Sequence, residues 1–449
     1  MKKTIVAMAL TLCVSDVVFA AEGLVGLADE ELSAINGAAL MNMSYTDPIL
    51  VNQQMVDENI GFYKLSLDAV MDLNVNVKSL QLGCGGVNGS NGCDIDIRHL
   101  ALSGNATSTD ANGNPVFNGD RASTSAELKN PFIEFAIKNP KQAALREVKG
   151  FRVSAESITG LLTTGIQNTG APTDGIKSLS GYMKIAPTTG IAKTQAAIFG
   201  DSSSETLSGN LVINTIWNND RSFVSQPENS KGLKIPSMNV PFTVPEITIN
   251  GKRQTQAVAK NISATVPSIQ LNRDSGSLQV KLDRNLLWVE GAQFFMDSGS
   301  SIDGLKMNIT FEQALNMIHN IPLNGTAGYL SLQSQDISWP DANADDIART
   351  GWWMSFKDPI NIGKLNPTSE VDISGVLPQV AQKVSQILTN EPIYIPLGSA
   401  VGAAFGLPIY KNVGSINLSN AGAANLTLKN QVLGNQEVRT NCFGGLKFC

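Results

Sequence analysis

Charge is scarce in this chain: Asp, Glu, Lys and Arg make up only 16% of its 449 residues, 39 acidic against 33 basic, for a formal net charge of −6. No surplus of positive charge is there to neutralise phosphates, which argues against a nucleic-acid partner. Aromatic residues are few, at 6%, and there are only two histidines, His99 and His319. Nothing around either suggests a nucleophile–base pair, and both read as structural or surface residues. A glycine-rich phosphate loop and a metalloprotease helix are also missing. The expectation is therefore a non-enzyme with no catalytic residue, no cofactor and no metal site. Past the amino terminus no apolar run reaches the roughly 20 residues of a membrane-spanning helix; the stretch 395–409 is broken by glycines, Pro396 and Pro408. No repeat of about 20–50 residues recurs, so a propeller or solenoid has little support. What is there is a 42% hydrophobic chain with 40 Gly and 19 Pro, whose surface relies on Asn, Ser, Thr and Gly. Such a composition excludes a disordered polyelectrolyte.

The amino terminus is the most informative stretch. Lys2 and Lys3 precede an apolar run over 5–12, and small residues close the segment at Val18-Phe19-Ala20. This is the pattern of a secretory signal peptide, residues 1–20, cut after Ala20. The competing reading, a membrane anchor, meets Asp16 in a run already too short to span. The product is expected to be exported, to the periplasm, the outer membrane or the cell surface. In residues 21–38, Leu27, Leu32 and Ile35 fall on one face of a short helix that stops at Gly37. The run resembles the double-glycine leaders removed by C39-type cysteine peptidases. That resemblance implies that Leu27, Glu31, Leu32 and Ile35 dock on the peptidase and that Gly37-Ala38 enters its narrow cleft before the cut. An ordinary amphipathic turn is the competing reading. Leaders of that family usually begin the chain, whereas this one follows a signal peptide, so a separate periplasmic peptidase is implied.

Four cysteines remain after signal removal, Cys84 and Cys93 around one Gly/Asn-rich loop and Cys442 and Cys449 around another Gly-containing loop. Four cysteines allow three pairings. The local pairs Cys84–Cys93 and Cys442–Cys449 are favoured, since each flanks a flexible loop that brings its sulfurs together. A four-cysteine zinc site is disfavoured by the lack of two-residue spacing.

The dominant period is two. Apolar and polar residues alternate over 73–82, 95–102, 211–216, 262–266, 268–271, 277–282, 329–332, 415–418 and 425–428. These are half-buried strands. Asp274-Ser275-Gly276, Asn112-Gly113-Asn114 and Asn324-Gly325 carry turn chemistry between them. Helical spacing is confined to 311–319, through Ala314, Leu315 and Ile318, and to 376–388, through Val380, Val384 and Leu388 after Pro378. Polar, turn-forming breaks lie at 170–175, 200–209 and 341–346. The expected fold is mainly β, an elongated antiparallel sheet or sandwich with a few short helices. Its two β-rich regions, 39–205 and 206–449, are separate or one continuous domain.

Two local features tempt a chemical reading. Asp110-Ala111-Asn112-Gly113-Asn114 spaces its oxygens as calcium loops do, but Pro115 and Arg121 stand where such a loop needs Gly and Glu. A hairpin loop is expected. Trp352-Trp353 reads as core packing, because no exposed aromatic series accompanies it to make a sugar platform.

Residues 130–140 (Asn130-Pro131-Phe132-Ile133-Glu134-Phe135-Ala136-Ile137-Lys138-Asn139-Pro140), then Arg146-Glu147-Val148-Lys149-Gly150-Phe151-Arg152 and Ala155-Glu156-Ser157-Ile158-Thr159-Gly160-Leu161-Leu162, resemble a family of exported gram-negative proteins. Its best-named members belong to the Fil system, which is labelled a pilus system. The resemblance, strongest in the first third of the mature chain, implies a structural or accessory part in a cell-surface assembly. It also implies partners among the other components of that assembly and a C39-type peptidase that would act on the leader. A periplasmic or surface module that binds lipid or another apolar ligand is the alternative. An outer-membrane β-barrel ranks last, for want of aromatic girdle residues.

Overall fold

The structure is a computed structural model that describes residues 41–90, 92–214, 219–286 and 288–442. The signal and leader positions Ala20, Leu27, Glu31, Leu32, Ile35, Gly37 and Ala38, and Cys449, lie outside the described residues. In chain order the elements are β1 (Met41–Thr46), α1 (Gln53–Asp57), β2 (Ile60–Leu67), β3 (Val70–Leu73), β4 (Val75–Leu82), β5 (Ile95–Ser103), β6 (Ser108–Thr109), β7 (Pro115–Val116), β8 (Ala126–Lys138) and β9 (Glu147–Thr163). There follow β10 (Ile176–Ile185), β11 (Thr188–Lys193), β12 (Ala197–Phe199), β13 (Ser208–Asn214), β14 (Asn219–Ser225), β15 (Gly232–Ile235), β16 (Asn239–Val244), β17 (Ile247–Gln254), β18 (Gln256–Thr265), β19 (Ile269–Leu271) and β20 (Gly276–Leu286). The last are β21 (Val289–Met296), β22 (Ser300–Asp303), β23 (Lys306–Ala314), β24 (Asn320–Gln333), β25 (Gly351–Phe356), α2 (Leu377–Asn390), β26 (Ile393–Pro396), α3 (Leu397–Ala404), β27 (Ile409–Lys411), β28 (Ser415–Asn417) and β29 (Ala424–Lys429).

Among the described residues these strands form five sheets, and the protein is mainly β, as the alternating pattern predicts. The largest has eleven strands, running β1-β2-β8-β9-β24-β25-β10-β5-β4, with β17 paired to β10 and β3 to β8. Because β5 also pairs with β9, the strands β5, β9, β24, β25 and β10 close into a ring. A five-stranded sheet runs β11-β16-β18-β23-β29. An eight-stranded one runs β12-β15-β20-β14-β13-β26, with β21 on β20 and β27 on β21. Strands β19, β22 and β28 make a small sheet, and β6 and β7 a two-stranded hairpin.

One large apolar core fills the space between the three big sheets. A second, smaller one holds Met55, Phe62, Trp339 and Trp353 under the segment 334–350. The eleven-stranded sheet draws on both sides of residue 205, since β24 and β25 sit between β9 and β10. Among the described residues no helix is long and apolar enough to cross a membrane, which says nothing of a β-barrel.

Two sequence expectations are corrected. Residues 311–319 are not a helix: Met307, Ile309, Phe311 and Gln313 continue the buried phase of β23, and a 3-10 turn follows over Leu315–Met317. Leu315 N–H donates across to the Thr255 carbonyl instead of to its own turn, so pairing to the neighbouring strand overrides the local helical spacing. Asn324-Gly325 is not a turn between strands but a bulge within β24, where the register to β9 shifts and Gly325 takes φ of +81°. The second expected helix is present as α2, with Pro378 in its first turn and Val380, Val384 and Leu388 buried.

Candidate functional site: an exposed edge strand and an apolar cavity

Strand β1 is made by the alternation Met41-Asn42-Met43-Ser44-Tyr45-Thr46 and ends where Asp47 caps a 3-10 turn opened by Pro48. It pairs antiparallel with β2, Met41 opposite Leu67 and Thr46 opposite Phe62, and among the described residues is the outermost strand of its sheet. Met43 is 75% exposed and Met41 56%. The strand is anchored at its far end. The Tyr45 ring lies tilted against that of Tyr63 with centroids 4.9 Å apart, Gly61 leaves room for the Tyr45 ring where a Cβ would collide, and Lys141 Nζ lies 2.8 Å from Asp47 Oδ2. Among the described residues nothing pairs with the outer edge of β1, and its apolar side chains stand in water.

The second feature lies in the concave face of the five-stranded sheet. Ala192, Val240, Ile262, Ile309 and Leu426 form one wall, one residue from each strand. The opposite wall is a strap, residues 361–376, and the first turn of α2, contributing Leu365, Val371, Val376, Leu377 and Val380. Backbone bonds fasten the strap along β11: Leu365 N–H donates to the Thr189 carbonyl at 3.0 Å and Val371 N–H to the Lys193 carbonyl at 2.8 Å. Between the walls is a cavity of about 80 Å³ with wholly apolar surfaces. The one hydroxyl residue on it, Thr194, spends its Oγ1 accepting from the Met238 N–H at 3.0 Å.

The residues singled out from sequence are placed as follows. Cys84 and Cys93 are joined by a disulfide, which removes both from any zinc site. Cys442 is also disulfide-bonded. Asp110 accepts from the Asn112 and Asn114 N–H groups, both at 2.9 Å, so the calcium-like spacing serves the β6–β7 hairpin. Trp353 is fully buried and donates from Nε1 to Asp346 Oδ1 at 3.0 Å; Trp352 packs edge-on against Phe151. His99 Nδ1 lies 3.4 Å from Asp174 Oδ2, and His319 Nδ1 lies 2.8 Å from the Thr164 carbonyl oxygen.

Two buried polar clusters escaped the sequence reading. Asp346, in the segment expected only as a loop break, accepts from Tyr329 Oη at 2.7 Å, Trp353 Nε1 at 3.0 Å and Ser355 Oγ at 2.5 Å. Burial pushes its carboxyl up from the ordinary range, against the pull of those three donors. Glu134 and Arg152 pair inside β8 and β9. The signal that would have found them is a charged residue on the core phase of an alternating strand, Glu134 between Phe132 and Ala136.

No protein-family model, curated protein or solved structure matches the chain. Among the described residues, the fold and the two features define a multi-sheet β protein with an apolar strand, β1, at an edge of its largest sheet and an apolar cavity beneath the strap.

Proposed function

We propose that the chain is an exported, non-catalytic structural or accessory component of a pilus-like cell-surface system. It would be matured by signal peptidase after Ala20 and by a C39-type peptidase after Ala38. This is the part that the resemblance to FilA of the Fil system implies. The observation that carries the reading is β1: cleavage after Ala38 leaves only Ala39 and Leu40 ahead of an edge strand whose apolar side chains stand in water. A free sheet edge is a template for strand addition from a neighbouring subunit. With the leader attached, the charged run Asp29-Glu30-Glu31 stays tethered 10 to 12 residues before the start of β1, which makes cleavage the step that readies it.

Intact mass and amino-terminal sequencing of protein taken from the native envelope, beside electron microscopy of the same envelopes, test this. The expected start is Ala39. Gly37→Asp is expected to stay uncut and unassembled, and Met43→Asp to be cut but unassembled. A start at Ala21, or normal assembly by an uncut Gly37→Asp protein, overturns the proposal.

A further inference from the structure

We infer that α3, with the tip of the β20–β21 hairpin, forms a self-complementary face through which two copies of this chain pair about a twofold axis. The inference stands apart from the assembly reading, since it uses neither β1 nor the leader.

Four observations combine. First, α3 is packed inside out. It buries Ala400, Ala403 and Ala404 against strands of the eight-stranded sheet and turns Leu397 and Val401 to water. Phe405, one residue past the helix, extends that stripe at the spacing of four and is 70% exposed. Trp288, at the hairpin tip and 61% exposed, meets the Phe405 ring edge-on with centroids 5.3 Å apart, and Leu407 lies beside Gly402, so the apolar surface is continuous. A surface helix ordinarily turns its large apolar residues inward, and a continuous apolar patch left in water marks a contact face.

Second, the same face holds glycines that a single copy does not need. Gly398 and Gly402 fall beside the apolar stripe. A Cβ on Gly398 would meet nothing, and one on Gly402 only the Leu407 side chain at ordinary contact distance. Neither glycine takes a positive φ. Glycine weakens a helix relative to alanine, so its presence is unexplained within one chain. A second helix explains both features: the ridge of Leu397, Val401 and Phe405 on one copy fits the shallow groove over Gly398 and Gly402 on the other.

Third, no Asp, Glu, Lys or Arg stands between Glu391 and Lys411, or between Arg284 and Glu290. A twofold contact sets charges near the axis against their own equivalents, and a charge-free face avoids that repulsion. Fourth, the area suffices. Leu397, Val401, Phe405, Leu407 and Trp288 together leave roughly 500 Å² in water. Two such faces would bury about 1,000 Å², the size at which specific interfaces begin. The dimer is therefore a weak one that dissociates on dilution. A bilayer would accept the apolar knobs but gains nothing from the glycines, and helices that lie on membranes carry a basic polar face that α3 lacks.

The exported chain, purified with its disulfides intact, is followed by sedimentation velocity across a dilution series. A monomer–dimer equilibrium is expected. Gly402→Leu, for which a single copy has room, fills the groove, and Val401→Asp sets like charges on the axis. Each is expected to weaken the dimer roughly tenfold or more, with the circular-dichroism signature of the sheets retained. Val87→Asp, in the Cys84–Cys93 loop and fully in water, is expected to leave the dimer unchanged. Because Val401 is the middle of the stripe, Val401→Cys is expected to form a disulfide-linked dimer under mild oxidation, whereas Val258→Cys, exposed on β18, is not. The proposal is overturned if the wild type is monomeric throughout, if Gly402→Leu dimerises like wild type, or if Val87→Asp weakens the dimer equally. It also fails if Val401→Cys cross-links no better than Val258→Cys. A monomer that instead binds phosphatidylcholine vesicles, with binding lost in Phe405→Asp, would assign the face to a lipid surface and would overturn it as well.

Discussion

Arg152 Nε donates to Glu134 Oε2 at 2.6 Å, and the two residues face each other in register across β8 and β9 with almost no exposure to solvent. The guanidinium also donates from Nη2 to the Pro340 carbonyl at 2.9 Å and lies 5.1–5.4 Å from the rings of Phe132, Tyr329 and Trp339. One cation therefore ties two strands to the segment that roofs the smaller core. Burial pushes the Glu134 carboxyl up while Arg152 holds it down, so its charge depends on its partner. Arg152→Met strands a buried carboxylate and is expected to cost about 3–5 kcal/mol. The double variant Arg152→Met with Glu134→Leu is expected to recover most of that loss. Urea unfolding of the single and double variants at neutral pH checks the difference.

Asp346 satisfies three buried donors at once, Tyr329 Oη, Trp353 Nε1 and Ser355 Oγ. Asp346→Ala leaves all three without their partner, at about 1–3 kcal/mol for each group that stays buried and unpaired. The expected result is a loss of at least about 3 kcal/mol, with segment 334–350 lifting from β24 and β25. Trp353 reports the change: its fluorescence is expected to shift to the red in the variant at temperatures where the wild type is fully folded.

His319 supplies a pH dependence whose sign is fixed by its burial. Desolvation lowers its pKa below 6.5, and the Thr164 carbonyl and the Asp174 carboxylate offset this only in part. Between the lowered folded value and 6.5 the unfolded chain binds more protons than the folded one, so stability rises with pH there. This stability is complete above 6.5 and is lost as the pH falls toward the folded value, by up to about 1.4 kcal/mol per pH unit. His319→Gln removes the titration and keeps a donor for Thr164. Urea titrations at pH 7 and pH 5.5 are expected to show a smaller acid loss in this variant than in the wild type.

Gly190 on β11 faces the strap. A Cβ there would collide with the Leu365 carbonyl and the Phe242 ring. Gly190→Ala is expected to push the strap off its strand, at about 1–3 kcal/mol for the overpacking. The exposed Lys364 within the strap gives the readout, faster tryptic cutting at that residue with the circular-dichroism signature of the sheets retained.

The strands at 95–102 and 277–282 were legible because one face of each is buried and the other wet, which leaves a period of two in the residues themselves. The Cys84–Cys93 bridge was legible for a similar reason, since both partners flank one short loop. Phe311 to Ile318 misled because Leu315 and Ile318 fit a helical period as well as a strand ending in a turn. The choice was made by the backbone of Thr255, far off in sequence. The cavity left no trace in the residue pattern: Ala192, Ile309 and Leu426 are ordinary core residues until a strap over a hundred residues from β11 closes over them. Asp346 was read only as part of a polar break, and its three donors come from strands on both sides of it.

The ring formed by β5, β9, β24, β25 and β10 also sets an order of events. A chain made amino terminus first reaches β9 and β10 long before residue 320, where the first of the two strands that belong between them begins. Until residue 356 has arrived, β9 and β10 lack the two strands that lie between them in the finished sheet. Strand edges left unpaired accept any extended segment, including the same strand of a neighbouring copy. Closure requires contacts between distant parts of the chain, which makes it slow. The yield of correctly closed molecules therefore depends on how quickly the second half follows the first, and on whether a chaperone shields the gap meanwhile.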